Sequence, residues 1–176
     1  MKATIGLTDE ARREVGQILN LLLADEYVLC VTTRDYDWNV SGPGSQVFSL
    51  QFEGQSEQVS GWIYKIAERL RAIGVGVRGN WADVTKAARS SADPGSGLLA
   101  GQMRAELLSL HQALIVRLRS DSAACLDRYQ DADTAKFLAG LRYQHETTAW
   151  VLRPVCGARR KKRPRSKTES NPHEPT

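Results

Sequence analysis

The densest concentration of chemistry in this sequence is a run of cations near its end, ARRKKRPRSK, from Ala158 to Lys167. Between Gly157 and Thr176 stand Arg159, Arg160, Lys161, Lys162, Arg163, Arg165 and Lys167 against two acids, Glu169 and Glu174, a net +5. The whole chain carries only +4, so the other 156 residues sum to −1 and the basic character belongs to this segment. Cations on a flexible strand bind phosphate by releasing its counterions, which gives salt-sensitive affinity without regard to base sequence. The segment has no aromatic side chain to stack on a base and no helix to enter a groove, so it has no means of reading sequence. A purely solubilising tail is the alternative.

Other chemistry-bearing residues are sparse. The histidines are His111, His145 and His173. His145 beside Glu146 reads as a helix-surface or interface residue. Cys30, Cys125 and Cys156 are odd in number and far apart, and two fall on apolar helix faces, so they are expected to be buried thiols. Asp127, Asp131 and Asp133 cluster where one helix should give way to the next; loop acids of this kind are usually solvated, and the alternative is the lining of an ion channel.

The elements that must carry these residues are helical. Thr8 is a suitable N-cap, with Asp9 and Glu10 behind it where the helix dipole favours acids. The first helix should run from about Thr8 to the region of Asp37–Asn39, its apolar face built on Leu22, Leu23, Tyr27, Cys30 and Val31. Ser41, Gly42, Pro43 and Gly44 force a turn. A second helix follows, striped by Phe48, Phe52, Val59, Trp62, Ile63, Ile66, Leu70 and Ile73, with Gly74 as terminator. A short helix is expected over Arg78–Lys86, then a loop rich in Ser, Gly and Pro. The third long helix, Leu98–Leu126, is striped by Leu99, Met103, Leu107, Leu110, Leu114 and Leu118. The fourth is expected over Thr134–Arg153, closed by Pro154. Four long amphipathic helices with a long crossover between the second and third make an all-α, ferritin-like four-helix bundle with a short extra helix in the crossover. Residues 1–156 are expected to form this domain and residues 157–176 a disordered basic tail, since they hold too little apolar surface to offset the entropy of ordering. A chain of 176 residues suffices for one core, no apolar run approaches the ~20 residues of a membrane span, and the N-terminus lacks a secretory apolar centre. Those features lead to the expectation of a cytoplasmic protein.

The segment YDWNVSGP, from Tyr36 to Pro43, followed by IAERLRAIG, from Ile66 to Gly74, resembles the Dps family of mini-ferritins, the DNA-binding proteins of starved cells. LLSLHQALIVRLR and DTAKFLAGLRYQHETTAWVLR are similar to that family's third and fourth helices, and the likeness extends over roughly residues 5 to 155. It implies an iron-oxidising site between two subunits, served by five side chains. Transferred position by position, the family's first histidine falls on Asp37 and its second, twelve residues on, falls on Ser49. The acid one turn later is Glu53, and the partner subunit's acidic pair becomes Tyr64 and Glu68. The resemblance thus names Asp37, Glu53 and Glu68 as metal-binding candidates with iron, Fe(II) and Fe(III), as their ion. Without two imidazoles the set is shifted towards hard oxygen ligation. Read alone, Glu68 equally suits a surface ion pair and Asp37 a helix end.

The resemblance further implies a homododecameric hollow shell that oxidises and stores iron, binds DNA through its basic termini with or without nucleoid association, and protects it from oxidative damage. Twelve tails on one particle would multiply weak contacts. The alternative it leaves open is a shell that compacts DNA with little or no ferroxidase activity.

Overall fold

The computed structural model describes residues 6–90 and 97–153. Helix α1 spans Asp9–Asn39, α2 Ser45–Ala72, α3 Trp81–Ala87, α4 Ala100–Asp127 and α5 Ala132–Leu152, and no strand occurs among the described residues. Each boundary has a local cause. Thr8 Oγ1 accepts from the Ala11 amide at 3.1 Å. Between α1 and α2 the chain reverses through Gly42 and Gly44, with φ of 93° and 81°, values a side chain would resist. Gly74, at φ 77°, closes α2. Asn80 caps α3 by accepting from the Asp83 amide at 3.0 Å, and Gln102 reaches back to the Leu99 amide at 2.9 Å to start α4. Asp131 caps α5, accepting from the Thr134 amide at 2.9 Å and its hydroxyl at 2.6 Å.

The long helices pack as two hairpins, α1 with α2 and α4 with α5, laid against each other. Leu19, Leu22, Leu23 and Leu29 from α1 meet Phe52, Val59, Ile66 and Leu70 from α2, Leu107, Leu114 and Leu118 from α4, and Leu138 and Leu152 from α5 in one core. Side chains of this size each contribute roughly 1.5–3 kcal/mol on burial, so the apolar stripes supply the main drive to collapse. Helix α1 has the length and apolar content of a membrane span, contrary to the sequence expectation, but most of that stretch is buried within the bundle and it carries Asp25 and Glu26.

The crossover is tied down by polar contacts. Asn20 donates to the Gly76 carbonyl at 3.2 Å and accepts from the Arg78 amide at 2.9 Å. Gly16 lets this segment close on α1, because a Cβ there would stand 2.7 Å from Val75 Cγ1. Beyond α3, fully buried Asp25 accepts from the Arg89 and Ser90 amides at 2.7 and 3.0 Å and pairs with the guanidinium groups of Arg89 and Arg117 at 2.8 and 3.2 Å.

Two apolar residues depart from expectation. Val31 lies on the outer side of α1 and is exposed, and Leu99 is exposed because it is the N-cap residue rather than a helical one. Trp62, by contrast, is buried in the bundle as part of the α2 stripe. Cys30 and Cys125 are buried free thiols, as expected, whereas Cys156 lies outside the described residues. Burial, with Asp131 and Asp121 nearby, pushes the Cys125 thiol up to about 12, so it stays protonated and unreactive at neutral pH.

Candidate metal corner and a buried polar chain

The end of α1 and the start of α2 form a corner, and the tight Ser41–Gly44 turn sets its geometry. Across it, Ser49 Oγ donates to Asp37 Oδ1 at 2.6 Å. The two positions where the resemblance implies imidazoles are therefore in direct contact, twelve residues apart in sequence and joined by a hydroxyl–carboxylate bond. Glu53 follows Ser49 by one helical turn and is exposed. Glu68 is also exposed, but fifteen residues further along α2 places it about 22 Å from Glu53 at 1.5 Å per residue. One protomer therefore brings Asp37, Ser49 and Glu53 to one corner and leaves Glu68 apart. The described residues contain no cluster of three or more His, Cys, Asp or Glu side chains arranged to hold a metal ion within one protomer.

The acids near the start of α5 divide. Asp131 is buried and engaged, receiving the Arg69 guanidinium at 2.8 Å besides capping its helix, so it is a structural residue rather than a channel lining. Asp127 and Asp133 are exposed. The seven basic residues from Arg159 to Lys167 lie outside the described residues.

Sequence reasoning missed a second arrangement. His145 is not a surface residue: it is fully buried, as are His111 and Glu26. Its Nε2 lies 2.8 Å from Glu26 Oε1, its Nδ1 lies 2.8 Å from His111 Nδ1, and His111 Nε2 lies 2.6 Å from the amide nitrogen of buried Gln55. Each of the four long helices contributes one residue to this chain, and the Trp62 ring stands over His145 at 4.5 Å between centroids. A signal for it was present. His111 falls between Leu107 and Leu114 on the buried stripe of α4, and His145 between Leu141 and Ala149 on that of α5. Burial, and then proximity to His145, hold the His111 imidazole well below its ordinary range, so it is neutral at physiological pH.

The ferritin-like domain family matches residues 16–160. This span takes in α2, α4 and α5 whole and α1 from Gly16 onward. The chain belongs to the Dps family of mini-ferritins. An uncharacterised low temperature-induced protein of Nostoc is 38% identical over 86% of this chain and 85% of its own length. The Bacillus anthracis DNA protection during starvation protein 2 is 27% identical over 80% of this chain and 95% of its length. A Dps protein of Bacillus brevis, known by crystal structure, superposes with a TM-score of 0.76 at 26% identity, over 83% of this chain and 97% of that one. In this Dps-family chain the corner of Asp37 and Ser49 presents oxygen atoms at the two positions where the resemblance implies imidazoles.

Proposed function

We propose that this protein assembles into a hollow homododecamer that takes up Fe(II), oxidises it at an altered inter-subunit centre, and stores ferric iron so that DNA is spared oxidative damage. The observation that carries the reading is the corner itself: Asp37 and Ser49 in contact, with Glu53 a turn away on an exposed face. Asp37 and Glu53 offer carboxylate oxygen from one subunit, and Glu68, too distant within the protomer, would come from a second copy packed across the corner. Oxygen donors suit iron as a hard cation, and the substrate must compete with the Ser49 hydroxyl for Asp37. Exposed Trp38, Tyr64, Trp81 and Trp150 provide apolar area that an isolated bundle leaves in water, which supports burial between subunits. The basic segment from Arg159 to Lys167 is assigned sequence-independent contact with DNA.

Anaerobic Fe(II) titration of the purified protein followed by peroxide, read as stoichiometry and ferric absorbance, tests the centre. Glu68→Gln is expected to slow oxidation at least several-fold, and Asp37→His with Ser49→His to speed it. Equal rates in parent and variants would remove these side chains from the site. A second reading is favoured by the Ser49–Asp37 bond, which already engages one carboxylate: a shell whose remaining task is compacting DNA. Absence of saturable Fe(II) binding, with DNA binding intact, would select it.

A further inference from the structure

The Glu26–His145–His111–Gln55 chain is buried inside one bundle, whereas Glu53 of the corner is exposed, and nothing in the iron reading uses it. Two oxygens at its ends have no hydrogen-bond partner although both are buried: Glu26 Oε2 and Gln55 Oε1. Unpaired buried oxygens of this kind are costly and call for an explanation. The charged groups facing the rings are few. From α1 comes Glu26, from α4 His111 and from α5 His145, while α2 brings the neutral Gln55 and Trp62. The neighbouring acid on α1, Asp25, is turned to Arg89 and Arg117.

With Glu26 ionised and His111 carrying a single proton, hydrogen-bond polarity can run through this chain in two ways. In the first, both rings are neutral. His145 donates from Nε2 to the Glu26 carboxylate, His111 donates from Nδ1 to His145 Nδ1, and the Gln55 amide donates to His111 Nε2. That is the arrangement of the atoms as they stand, with the amide nitrogen on His111 and Oε1 left over. In the second, one proton has been added, His145 is an imidazolium between the carboxylate and a neutral His111, and Gln55 has turned its amide so that Oε1 accepts from His111 Nε2.

We propose that these four residues form a buried relay that binds one proton and moves its charge across the bundle. A solvent proton bonds to His111 Nε2 at the α2 end; the N–H bond at His111 Nδ1 breaks as one forms at His145 Nδ1, 2.8 Å away; and the positive charge comes to rest beside Glu26 on α1. One proton enters, each ring exchanges or gains one N–H bond, and nothing is oxidised or reduced. The carboxylate, uncompensated in the neutral form, acquires its counter-charge, and the orphaned Gln55 oxygen acquires a donor. The Trp62 ring, tilted by 55° with its centroid 4.5 Å from that of His145, is close enough to attract the charged form. A second proton is opposed because His111 is desolvated and would adjoin a charged ring. A metal ion between the two Nδ1 atoms would find two protein ligands where a zinc site asks for three or four, whereas 2.8 Å is an ordinary hydrogen-bond separation.

Magic-angle-spinning NMR of the sedimented full-length protein, labelled with ¹⁵N-histidine, distinguishes the forms, with His173→Gln used to identify the signal of the third histidine. Between pH 8.5 and 5 one core ring should become doubly protonated, while the other keeps a single bare nitrogen that changes from Nε2 to Nδ1. Gln55→Glu, which offers a charged acceptor at the entry end, should raise the midpoint by roughly one pH unit, and Gln55→Met should lower it by a similar amount. Both rings titrating independently, neither changing across this range, a midpoint unmoved by either Gln55 variant, or added Zn(II) shifting both Nδ1 signals at micromolar concentration would each overturn the proposal.

Discussion

At the scale of single residues, His111 carries the clearest consequence for stability. Its folded imidazole resists protonation, whereas in the unfolded chain it titrates near ~6.5. Below that pH the unfolded chain binds a proton that the native His111 does not, so stability is fully present above ~6.5 and declines as the medium becomes more acid, by up to about 1.4 kcal/mol per pH unit. Thermal midpoints recorded at pH 7.5 and 5.5 should show this fall, and His111→Met should flatten it; an unchanged slope in the variant would assign the acid sensitivity to other groups. Little of this was legible in the sequence. A lone histidine on a helix is read by default as a surface residue, and only its register relative to the leucines on either side reveals that it points inward. The second half of the signal, one polar residue on each of four stripes, becomes visible when the helices are placed together, because Gln55 and His111 are 56 residues apart in the chain.

Among the elements, the helices and their caps were legible because their causes are local. Thr8, the Ser41–Gly44 turn and Gly74 were read correctly from hydrogen-bonding capacity and tolerance of positive φ alone. Asp131 shows the limit of such reading: it stands in a run of acids where only tertiary structure reveals that Arg69, 62 residues away, comes to meet it. Its loss would remove both the cap of α5 and the partner of a partly buried guanidinium. Asp131→Ala is therefore expected to cost about 3 kcal/mol, seen as a lowered thermal midpoint, while Asp133→Ala at an exposed position two residues on should cost under about 1 kcal/mol. Similar losses in both would mean that neither the cap nor the pairing with Arg69 makes Asp131 special at this junction.

For the whole molecule, charge separates the parts. A body of −1 has little reason to approach phosphate, so removal of Gly157–Thr176, which carries +5, is expected to abolish most DNA retention in gels while leaving helicity and assembly unchanged. Undiminished retention by the truncated protein would reduce the segment to a solubilising role. Light scattering of the parent at micromolar concentration should give a mass many times 19.5 kDa, and a monomer mass would end the shell reading. The corner at Asp37 was visible in sequence only as two departures from a family pattern, since the bond between Asp37 and Ser49 depends on how two helices are brought together.

The double grip of Asp25 on Arg89 and Arg117 has a further consequence for how the chain can be divided. Through Arg117 on α4 it joins the two hairpins by a directional contact, as does the polar chain deeper in the bundle, so their mutual register is encoded without reliance on the covalent link between them. A gene split after Ser90, its halves produced together as two polypeptides, should therefore yield a bundle that reassembles by complementation. Asp25→Asn should pass unnoticed in the intact chain far more readily than in the divided one, where no tether restores the lost alignment.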